Sequence, residues 1–367
     1  MNQMDVAAYV WPAYTGDERR SRIFWPEGYG EWETIKAATA RYEGHQWPRK
    51  PLWGYVNEAD PYVMEMQIEA ATDHGVNVFI YDWYWYDNRP FLEQCLDNGF
   101  LKAKNRSKMK FYIMWANHDV TYGWDRRIST EDYNTHIWKG AVSAEQFRMI
   151  AQRWMKQYFC QPEYYTIDNR PVVSIYDLQN LIEGLGGIEE TQRELDWLND
   201  EVKKLGFDGI HYQLVKFGIV EINRSGFDRE KHVYHPEELA KILPFSSVTH
   251  YQFAHFVNMG QRYCDILKEV QEEWKQIDRN FSIPYFPHIS IGWDNTPRYK
   301  THIDNVVREN TPEEFEKALQ LAKAYAVEKG VSMVTINSWN EWTEGSYLQP
   351  DNLYGYGYLE AIRKTFV

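Results

Sequence analysis

Short runs of apolar and β-branched residues recur along the chain, and each gives way to a polar turn or to a segment of helical periodicity. A continuous apolar run of this length, bounded by turn residues, is typical of a strand that is buried on both faces. On this criterion we predict eight strands, at residues 6–11, 77–85, 110–117, 171–177, 209–215, 247–253 and 285–294 and from residue 334 onward.

The segments between these runs carry helix start and stop signals. The clearest helix begins at Asp60-Pro61, because aspartate caps a helix and proline suits its first turn, and it ends at Gly75. The others are predicted near residues 90–103, 143–158, 189–205, 261–277, 311–328 and 356–364. Alternating strands and helices favour a parallel sheet, and a count of eight favours a closed barrel. We therefore predict an α/β fold in which residues 1–367 form a single (β/α)8 TIM barrel, with long loops after strands 1 and 3.

The charge balance narrows the classes of partner. The 367 residues include 40 Lys and Arg against 53 Asp and Glu, a formal net charge of −13. Nucleic acids and anionic membrane surfaces are disfavoured as partners, because no basic stripe is present to release their counterions.

No apolar run is long enough for a membrane span, and Cys95, Cys160 and Cys264 suggest no disulfide framework. No signal peptide is expected in this chain, so localisation stays open: periplasmic or secreted if a signal was removed, cytoplasmic otherwise.

Aromatic and polar residues coincide at the C-terminal ends of the predicted strands, where TIM-barrel enzymes carry their active sites. The chain has 16 Trp and 27 Tyr, and their flat rings with a polar edge suit the C–H face of a pyranose. For most single tryptophans, packing in the core is the alternative interpretation. The substrate-binding candidates at these positions are Trp11, Asp82, Trp83, Trp85, Trp115, Asn117, His118, Tyr176, Gln213, His250, Tyr251, Trp293, Asp294, Asn295, Trp339 and Asn340.

Two carboxylates follow the eighth strand, in the segment where its apolar run breaks into Trp, Asn, Glu and Gly. Glu341 and Glu344 are three residues apart, and in a turn or helix this spacing brings side chains within about 5–6 Å of each other. Two close carboxylates beside aromatic rings suit acid/base chemistry on a sugar. A solvated turn with two surface glutamates is the alternative interpretation, and the flanking Trp339, Asn340 and Trp342 favour the catalytic one.

Motifs for other chemistries are missing from the sequence. No H-E-x-x-H or His-x-His pair occurs, and the histidines fall on different predicted strands, so no metal site is predicted. No G-x-G-x-x-G follows a strand, no Walker loop occurs, and G-x-S-x-G is absent. We therefore predict an enzyme without a cofactor.

The segment W-N-E-W-T-E-G at residues 339–345, with Tyr347, Pro350 and the Y-G-Y run at 354–356, resembles the C-terminal signature of WbsX-type proteins. These are related to glycoside hydrolase family 99, the endo-α-mannosidase and endo-α-mannanase family. Matching blocks at 30–32, 81–85, 115–117 and 292–298 extend the resemblance over essentially the whole chain. It adds five substrate-binding candidates, Glu31, Trp32, Tyr81, Arg298 and Tyr354.

The resemblance implies a (β/α)8 barrel and a retaining glycosidase whose nucleophile is not a carboxylate. Glu341 would act as base on the sugar 2-hydroxyl, whose oxygen attacks the anomeric carbon and forms a 1,2-anhydro sugar. Glu344 would protonate the leaving oxygen and then activate water. One departure is that His118-Asp119 follows Asn117, where related sequences often have Glu and an aromatic residue, so the substrate can differ from mannan.

Three functions therefore stay open, and all three take an oligo- or polysaccharide as the partner. The first is a hydrolase of an α-linked glycan. The second is a glycosyltransferase, the name that many WbsX-type proteins carry, although no D-x-D motif or diphosphate-binding helix start stands out. The third is a non-catalytic barrel that binds glycans. Oligomeric state, glycan identity and endo or exo action are not fixed by the sequence.

Overall fold

Eight parallel strands form the centre of the computed structural model, which describes residues 4–127, 135–223, 231–301 and 304–367. Apolar and aromatic residues dominate these strands, and every residue of the second is buried. The strands are β1 (Asp5–Val10), β2 (Val78–Tyr86), β3 (Lys110–Trp115), β4 (Arg170–Ile175), β5 (His211–Val215), β6 (Phe245–Thr249), β7 (His288–Ser290) and β8 (Met333–Asn337).

The strands pair in the order β6-β5-β4-β3-β2-β1-β8-β7, with chain neighbours side by side and β1 between β2 and β8. The register places Ala8 opposite both Phe79 and Ile336. The two ends of the sheet meet where the N–H of Val248 donates to the carbonyl of Pro284 at 3.0 Å and its carbonyl accepts from Phe286 at 2.9 Å. The predicted α/β barrel is confirmed as a nearly closed, TIM-barrel-like ring of eight parallel strands.

Helices follow the strands around this ring. The second of them begins as its sequence predicts, because the Asp60 carboxylate accepts from the N–H of Tyr62 at 2.9 Å. The helices are α1 (Trp32–Lys36), α2 (Pro61–Asp73), α3 (Ala144–Trp154), α4 (Leu178–Leu185), α5 (Ile188–Lys203), α6 (Pro236–Leu239), α7 (Tyr263–Asn280), α8 (Pro312–Lys329) and α9 (Gly357–Phe366). None of the helices in the described ranges is both long and apolar enough to cross a membrane.

Short strands and turns lie in the connections between the barrel strands and the helices. Arg89–Phe91 pairs with β2 and Thr166–Ile167 with β4. A hairpin joins Val220–Asn223 to Lys231–Tyr234 after β5, and another pair joins Val120–Thr121 to His136–Trp138 after β3. The long loop after β1 contains a 3-10 turn at Arg19–Ile23 as well as α1.

The prediction of a helix at residues 90–103 is wrong, because this segment does not form a regular α-helix. Its start is the short strand Arg89–Phe91, and the rest is a π-helical turn at Cys95–Gly99 followed by a 3-10 turn at Phe100–Lys102. Gly99 explains part of this, because a Cβ there would lie 2.2 Å from the carbonyl oxygen of Glu58. Close backbone packing at this point takes precedence over a regular helix.

Two further predictions differ from the structure. The sequence predicts a seventh strand over residues 285–294, whereas β7 covers only His288–Ser290. Pro287 has no N–H to donate, which accounts for the late start of β7. The helix α4 was not predicted from the sequence; it is short and lies close to α5. Its ends are well marked, because Asp177 caps the first turn and Gly186 ends it at φ 97°.

Candidate active site

A cavity of about 300 Å³ opens at the C-terminal ends of the strands. Its walls come from the C-terminal parts of β2 and β3 and from the connections that follow β1 and β3 to β8. The lining combines carboxylates, one guanidinium, imidazoles and aromatic rings: Trp11, Asp82, Tyr84, Met114, Ala116, His118, Trp124, Tyr176, Phe217, Tyr251, His255, Arg298, Glu341 and Glu344.

The segment after β8 carries both glutamates into this cavity. Asn340–Glu341 pairs antiparallel with Ser346–Tyr347, and a 3-10 turn at Trp342–Glu344 lies between them. The Ser338 hydroxyl fixes the entry to this turn, because it accepts from the N–H groups of Asn340 at 3.1 Å and Glu341 at 2.6 Å. The chain thus folds back on itself within a few residues, and both carboxylates face the same space.

Gly345 ends this turn in the left-handed region, at φ 62°. A Cβ at this position would lie 2.9 Å from the Cβ of Asp294. We expect Gly345→Ala to lower the free energy of unfolding by about 2 kcal/mol or more, from backbone strain and steric overlap together. Gly355 has a similar φ of 58° with no atom within 4 Å of its ideal Cβ. In urea unfolding, Gly355→Ala should therefore lower the free energy of unfolding by less than Gly345→Ala does. Equal losses in the two variants would show that the contact with Asp294 is unimportant.

Arg298 is the cation at the centre of the carboxylates. Its guanidinium lies 2.9 Å from Glu344, 3.5 Å from Glu341 and 3.3 Å from Glu31. Burial alone would lower the pKa of Arg298, but the three carboxylates outweigh it and raise the pKa above its usual value. The guanidinium therefore stays charged and offsets part of the negative charge of the site.

Glu31, in the loop after β1, holds Arg298 in place. It is fully buried, and it accepts hydrogen bonds from the Trp11 indole at 2.6 Å and the Thr343 hydroxyl at 2.9 Å. The hydroxyl of Tyr14 lies 3.2 Å from the same carboxylate. These contacts tie the loop after β1 to the turn that carries the glutamates.

Tyr251 connects two of the cavity carboxylates. Its hydroxyl lies 2.8 Å from Glu341 Oε1 and 2.9 Å from Asp82 Oδ2. A phenol has a single proton to donate, so both contacts are full hydrogen bonds only if one of the two carboxyl groups is protonated. The geometry therefore fits a site that holds a proton.

Burial raises the pKa of all three acidic groups in the cavity lining. Burial, followed by the charge of Glu344, raises the pKa of Glu341 well above its usual value, while Arg298 opposes the shift. Burial also raises the pKa of Glu344 against the effect of Arg298, and it raises that of Asp82 against the hydrogen bond from Tyr251. One oxygen of each group, Asp82 Oδ1, Glu341 Oε2 and Glu344 Oε2, is buried with no hydrogen-bond partner among the described residues. Each of these oxygens therefore has unused capacity to accept a hydrogen bond.

Behind the cavity, Asn340 and Glu58 hold the turn at Trp342–Glu344 to the barrel. The side chain of Asn340 bonds to the backbone N–H and carbonyl of Trp11 at 2.7 and 2.8 Å, and it donates to Glu58 at 2.8 Å. Glu58 also accepts from Gln67 at 3.0 Å and Gln349 at 2.7 Å. Burial outweighs these hydrogen bonds and raises the pKa of Glu58 to about 7.

The raised pKa of Glu58 makes the free energy of unfolding depend on pH. A carboxyl group whose pKa rises on folding favours the folded state at low pH, and this contribution is lost as the pH rises through the folded pKa. With a shift from 4.5 to about 7, ionisation of Glu58 should cost about 2 to 3 kcal/mol between pH 5 and pH 8. Urea unfolding should show wild type losing this much relative to Glu58→Gln across that range. Exposed Glu43→Gln is the control, and a constant difference between wild type and Glu58→Gln would rule the shift out.

Asp294 anchors the backbone of Glu344 from the loop after β7. Its N–H donates to the carbonyl of Glu344 at 2.6 Å. Its carboxylate accepts from the Trp47 indole at 2.6 Å and the Thr296 hydroxyl at 2.7 Å, and it lies 2.8 Å from His45 Nε2. Burial would raise the pKa of Asp294, but His45 and the other donors lower it to about 2. This carboxylate is a structural anion.

The structure brings eight of the predicted site residues to the cavity wall and three to the layer behind it. Their roles in binding or catalysis stay predictions. The wall contains Trp11, Asp82, His118, Tyr176, Tyr251, Arg298, Glu341 and Glu344, and the layer behind contains Glu31, Asp294 and Asn340.

Four predicted aromatic residues lie on the outer face of the barrel. Tyr81 contacts Met64 of α2, and Trp83 stacks with Trp85 at a ring separation of 6.0 Å. Trp83 and Trp115 both pack edge-on against Trp154 of α3. Side chains alternate along a strand, so these rings point outward where Asp82 and Tyr84 point inward. They form the packing between strands and helices.

The remaining eight candidates also lie away from the cavity lining. Asn117 bonds to both the backbone N–H and the carbonyl of Asp177, at 2.8 and 2.7 Å, and so joins two loops. Gln213 accepts from Tyr112 inside the barrel at 3.0 Å. The others are Trp32, His250, Trp293, Asn295, Trp339 and Tyr354. None of these six lines the cavity, although the Asn295 carbonyl accepts from the N–H of Arg298 at 3.1 Å.

Six lining residues were not among the predicted ones. Tyr84 could have been found, since it alternates with Trp83 and Trp85 and shares the face of Asp82. The others lie at a strand end or in connections, where periodicity gives no direction. The six are Tyr84, Met114, Ala116, Trp124, Phe217 and His255.

Comparison with known proteins gives a family for this chain. The family model described as Glycosyltransferase WbsX matches residues 6–362. Two relatives named Uncharacterized protein WxcX, from two strains of Xanthomonas campestris pv. campestris, are each 26% identical over 93% of this chain. These alignments cover 47% of each relative, so the chain spans about half the length of the curated relatives it matches. The match confirms the resemblance indicated by the motifs.

Solved structures show the same fold. The GH99 endo-α-mannosidase from Bacteroides thetaiotaomicron aligns over 98% of this chain and 95% of its own, with a TM-score of 0.59 and 15% identity. A protein described as glycoside hydrolase-like aligns over 100% of this chain and 94% of its own, with a TM-score of 0.61 and 16% identity. The fold is thus shared at low sequence identity.

Proposed function

The chain belongs to the WbsX family, and from this membership and the geometry of its cavity we propose that it cleaves an α-linked oligo- or polysaccharide as a retaining glycoside hydrolase. The observation that carries this proposal is the placement of Glu341 and Glu344. Both carboxyl groups lie in one cavity at the C-terminal ends of the strands, both contact Arg298, and burial raises the pKa of each. A carboxyl group whose pKa is raised keeps its proton at a higher pH than a free carboxyl group does, as a general acid requires.

The proposed reaction has two steps. Glu341 takes the proton of the sugar 2-hydroxyl, whose oxygen attacks the anomeric carbon while Glu344 protonates the departing glycosidic oxygen. A 1,2-anhydro sugar results, and this step requires a glycoside whose 2-oxygen is trans to the leaving oxygen, as in an α-mannoside. Glu344 then takes a proton from water, which opens the anhydro ring at the anomeric carbon, and Glu341 returns the proton to the 2-oxygen. Two displacements at one carbon retain its configuration.

The first step requires charge on Glu341 and a proton on Glu344. Arg298 lies closer to Glu344 than to Glu341, which favours the opposite arrangement. The proposed roles therefore require the bound sugar to reverse this preference, with its 2-hydroxyl donating to Glu341 and its glycosidic oxygen accepting from Glu344. Tyr251 supports the charge on Glu341 through the 2.8 Å hydrogen bond.

The family name favours a second candidate, transfer of a sugar from an activated donor. A sugar-nucleotide donor brings a diphosphate, which needs free cations or N–H donors. Arg298 is the guanidinium in the described cavity lining, and three carboxylates already engage it. This distribution of charge favours a neutral glycan over an anionic donor.

A product analysis separates these candidates. The protein is incubated with plant, fungal and host glycans, with and without sugar nucleotides, and products are measured by mass spectrometry. We expect shorter fragments without any nucleotide, and proton NMR should show that the first-formed reducing end retains the configuration of the cleaved bond. Longer products that require a nucleotide would establish the transferase, and binding without any product would establish a glycan-binding barrel.

A further inference from the structure

One half of the cavity wall is aromatic, and its rings reach from the interior to the surface. Tyr251 is buried, and Tyr176 packs edge-on against it at a ring separation of 5.5 Å. Phe217 then stacks on Tyr176 at 5.7 Å with an angle of 25° between the rings. From the interior outward, Tyr251 follows β6, Tyr176 follows β4 and Phe217 follows β5. These three strands are neighbours in the barrel, so the rings form a continuous wall.

Phe217 is the outermost ring of this wall. It lines the cavity, yet 43% of it is exposed. His255 fixes it from the side at a ring separation of 4.6 Å, so two neighbours orient the ring before any ligand arrives. An apolar ring that is held in place and open to solvent at a cavity mouth offers a flat face to a ligand at little cost in side-chain entropy.

The wall around Phe217 carries no formal charge near neutral pH. Burial lowers the pKa of His255 to about 3 and lowers that of His118 as well, so both imidazoles are neutral. The charged groups of the lining are the acidic Asp82, Glu341 and Glu344 and the cation Arg298, which carboxylates already engage. This combination favours a neutral sugar ring, whose C–H face packs on an aromatic ring, and disfavours a uronate or a phosphorylated sugar.

We propose that Phe217, supported by Tyr176 and His255, forms a second sugar subsite at the cavity mouth. It takes the neutral sugar unit next to the one at the glutamates, so the preferred ligand has at least two neutral units. The inference rests on the proposed function, because it places the reacting sugar beside Glu341 and Glu344. It adds a chain-length requirement and a charge preference that the catalytic pair does not impose.

Binding to an inactive variant tests this subsite. Glu344→Gln is titrated by calorimetry with neutral α-linked manno-oligosaccharides of one to four units, whose 2-oxygen is trans to the glycosidic oxygen, and with the fragments of any polysaccharide that wild type cleaves. We expect affinity to rise about tenfold or more from one unit to two. Adding Phe217→Ala should remove this gain and leave monosaccharide affinity within about twofold, whereas Phe217→Tyr should keep it.

Ile219→Ala is the matched control, since Ile219 is 50% exposed on the same connection and is not part of the cavity lining. It should leave the gain with chain length unchanged. An unchanged gain in Phe217→Ala, or equal affinity for a ligand whose second unit is a uronate, would overturn the subsite while the proposed function stands. Absence of binding and cleavage for every glycan would overturn the proposed function, and the subsite with it.

Discussion

Glu344→Gln should lower turnover of the cleaved glycan by a factor of about 10³ or more, because the leaving oxygen then departs without a proton. An amide has nearly the shape of the carboxyl group and can keep one contact with Arg298, so the fold should survive. The natural leaving group is a sugar hydroxyl, which is a poor leaving group when unprotonated. The measurement is the initial rate of product release, with exposed Glu328→Gln as a control that should match wild type.

The leaving group separates the roles of the two glutamates. The second substrate is a 2,4-dinitrophenyl glycoside of the same sugar, whose dinitrophenolate departs without protonation. Glu344→Gln should therefore cleave this substrate far faster than it cleaves the glycan. Glu341→Gln should stay slow on both substrates, because attack by the 2-oxygen needs the base in either case. The same pattern with the two variants exchanged would reverse the assigned roles. Full turnover by Glu344→Gln on the glycan would remove this residue from the mechanism.

Arg298→Met should lower the free energy of unfolding by about 3–5 kcal/mol at pH 8, because it leaves buried carboxylates without their cation. The loss should be smaller at pH 5. Without Arg298 the pKa values of Glu341 and Glu344 rise further, so protonation neutralises these groups at low pH and supports the fold. That contribution disappears as the pH rises through the folded pKa values.

Urea unfolding at both pH values checks this prediction. Arg363→Met is the control, because Arg363 pairs with Glu360 on the surface and its side chain is 53% exposed. Surface pairs contribute little, so the control should change stability slightly and equally at both pH values. An equal loss for Arg298→Met at pH 5 and pH 8 would mean that the carboxylates around it do not take up protons.

The barrel could be predicted from the sequence because its elements carry local signals. Strands buried on both faces appear as continuous apolar runs, and helix ends such as Asp60 and Gly330 are chemically distinct. The same property hides which way each strand residue points. In β2 all nine residues are buried, so the apolar pattern alone does not show that Asp82 and Tyr84 point inward and Trp83 outward. Tryptophans that looked suited to sugar binding were therefore assigned to the site, yet they pack against α3.

The site was predictable where chemistry is concentrated in a short motif. Glu341 and Glu344 lie on one turn, and the structure places both in the cavity. Contacts between distant segments were out of reach, since 267 positions separate Glu31 from Arg298 and 282 separate Glu58 from Asn340. Phe217 and His255 sit in irregular connections whose path is set by tertiary packing. Such residues become visible only when the strand ends are brought together.

Digestion of the glycan panel in ¹⁸O-labelled water tests the central claim most directly. Wild type should release fragments that carry one ¹⁸O atom at the new reducing end, because water opens the proposed anhydro sugar at the anomeric carbon. Glu341→Gln and Glu344→Gln should release none above background under the same conditions. Fragments with the label from both variants at the wild-type rate, or no labelled fragment from wild type with any glycan, would contradict hydrolysis by this pair.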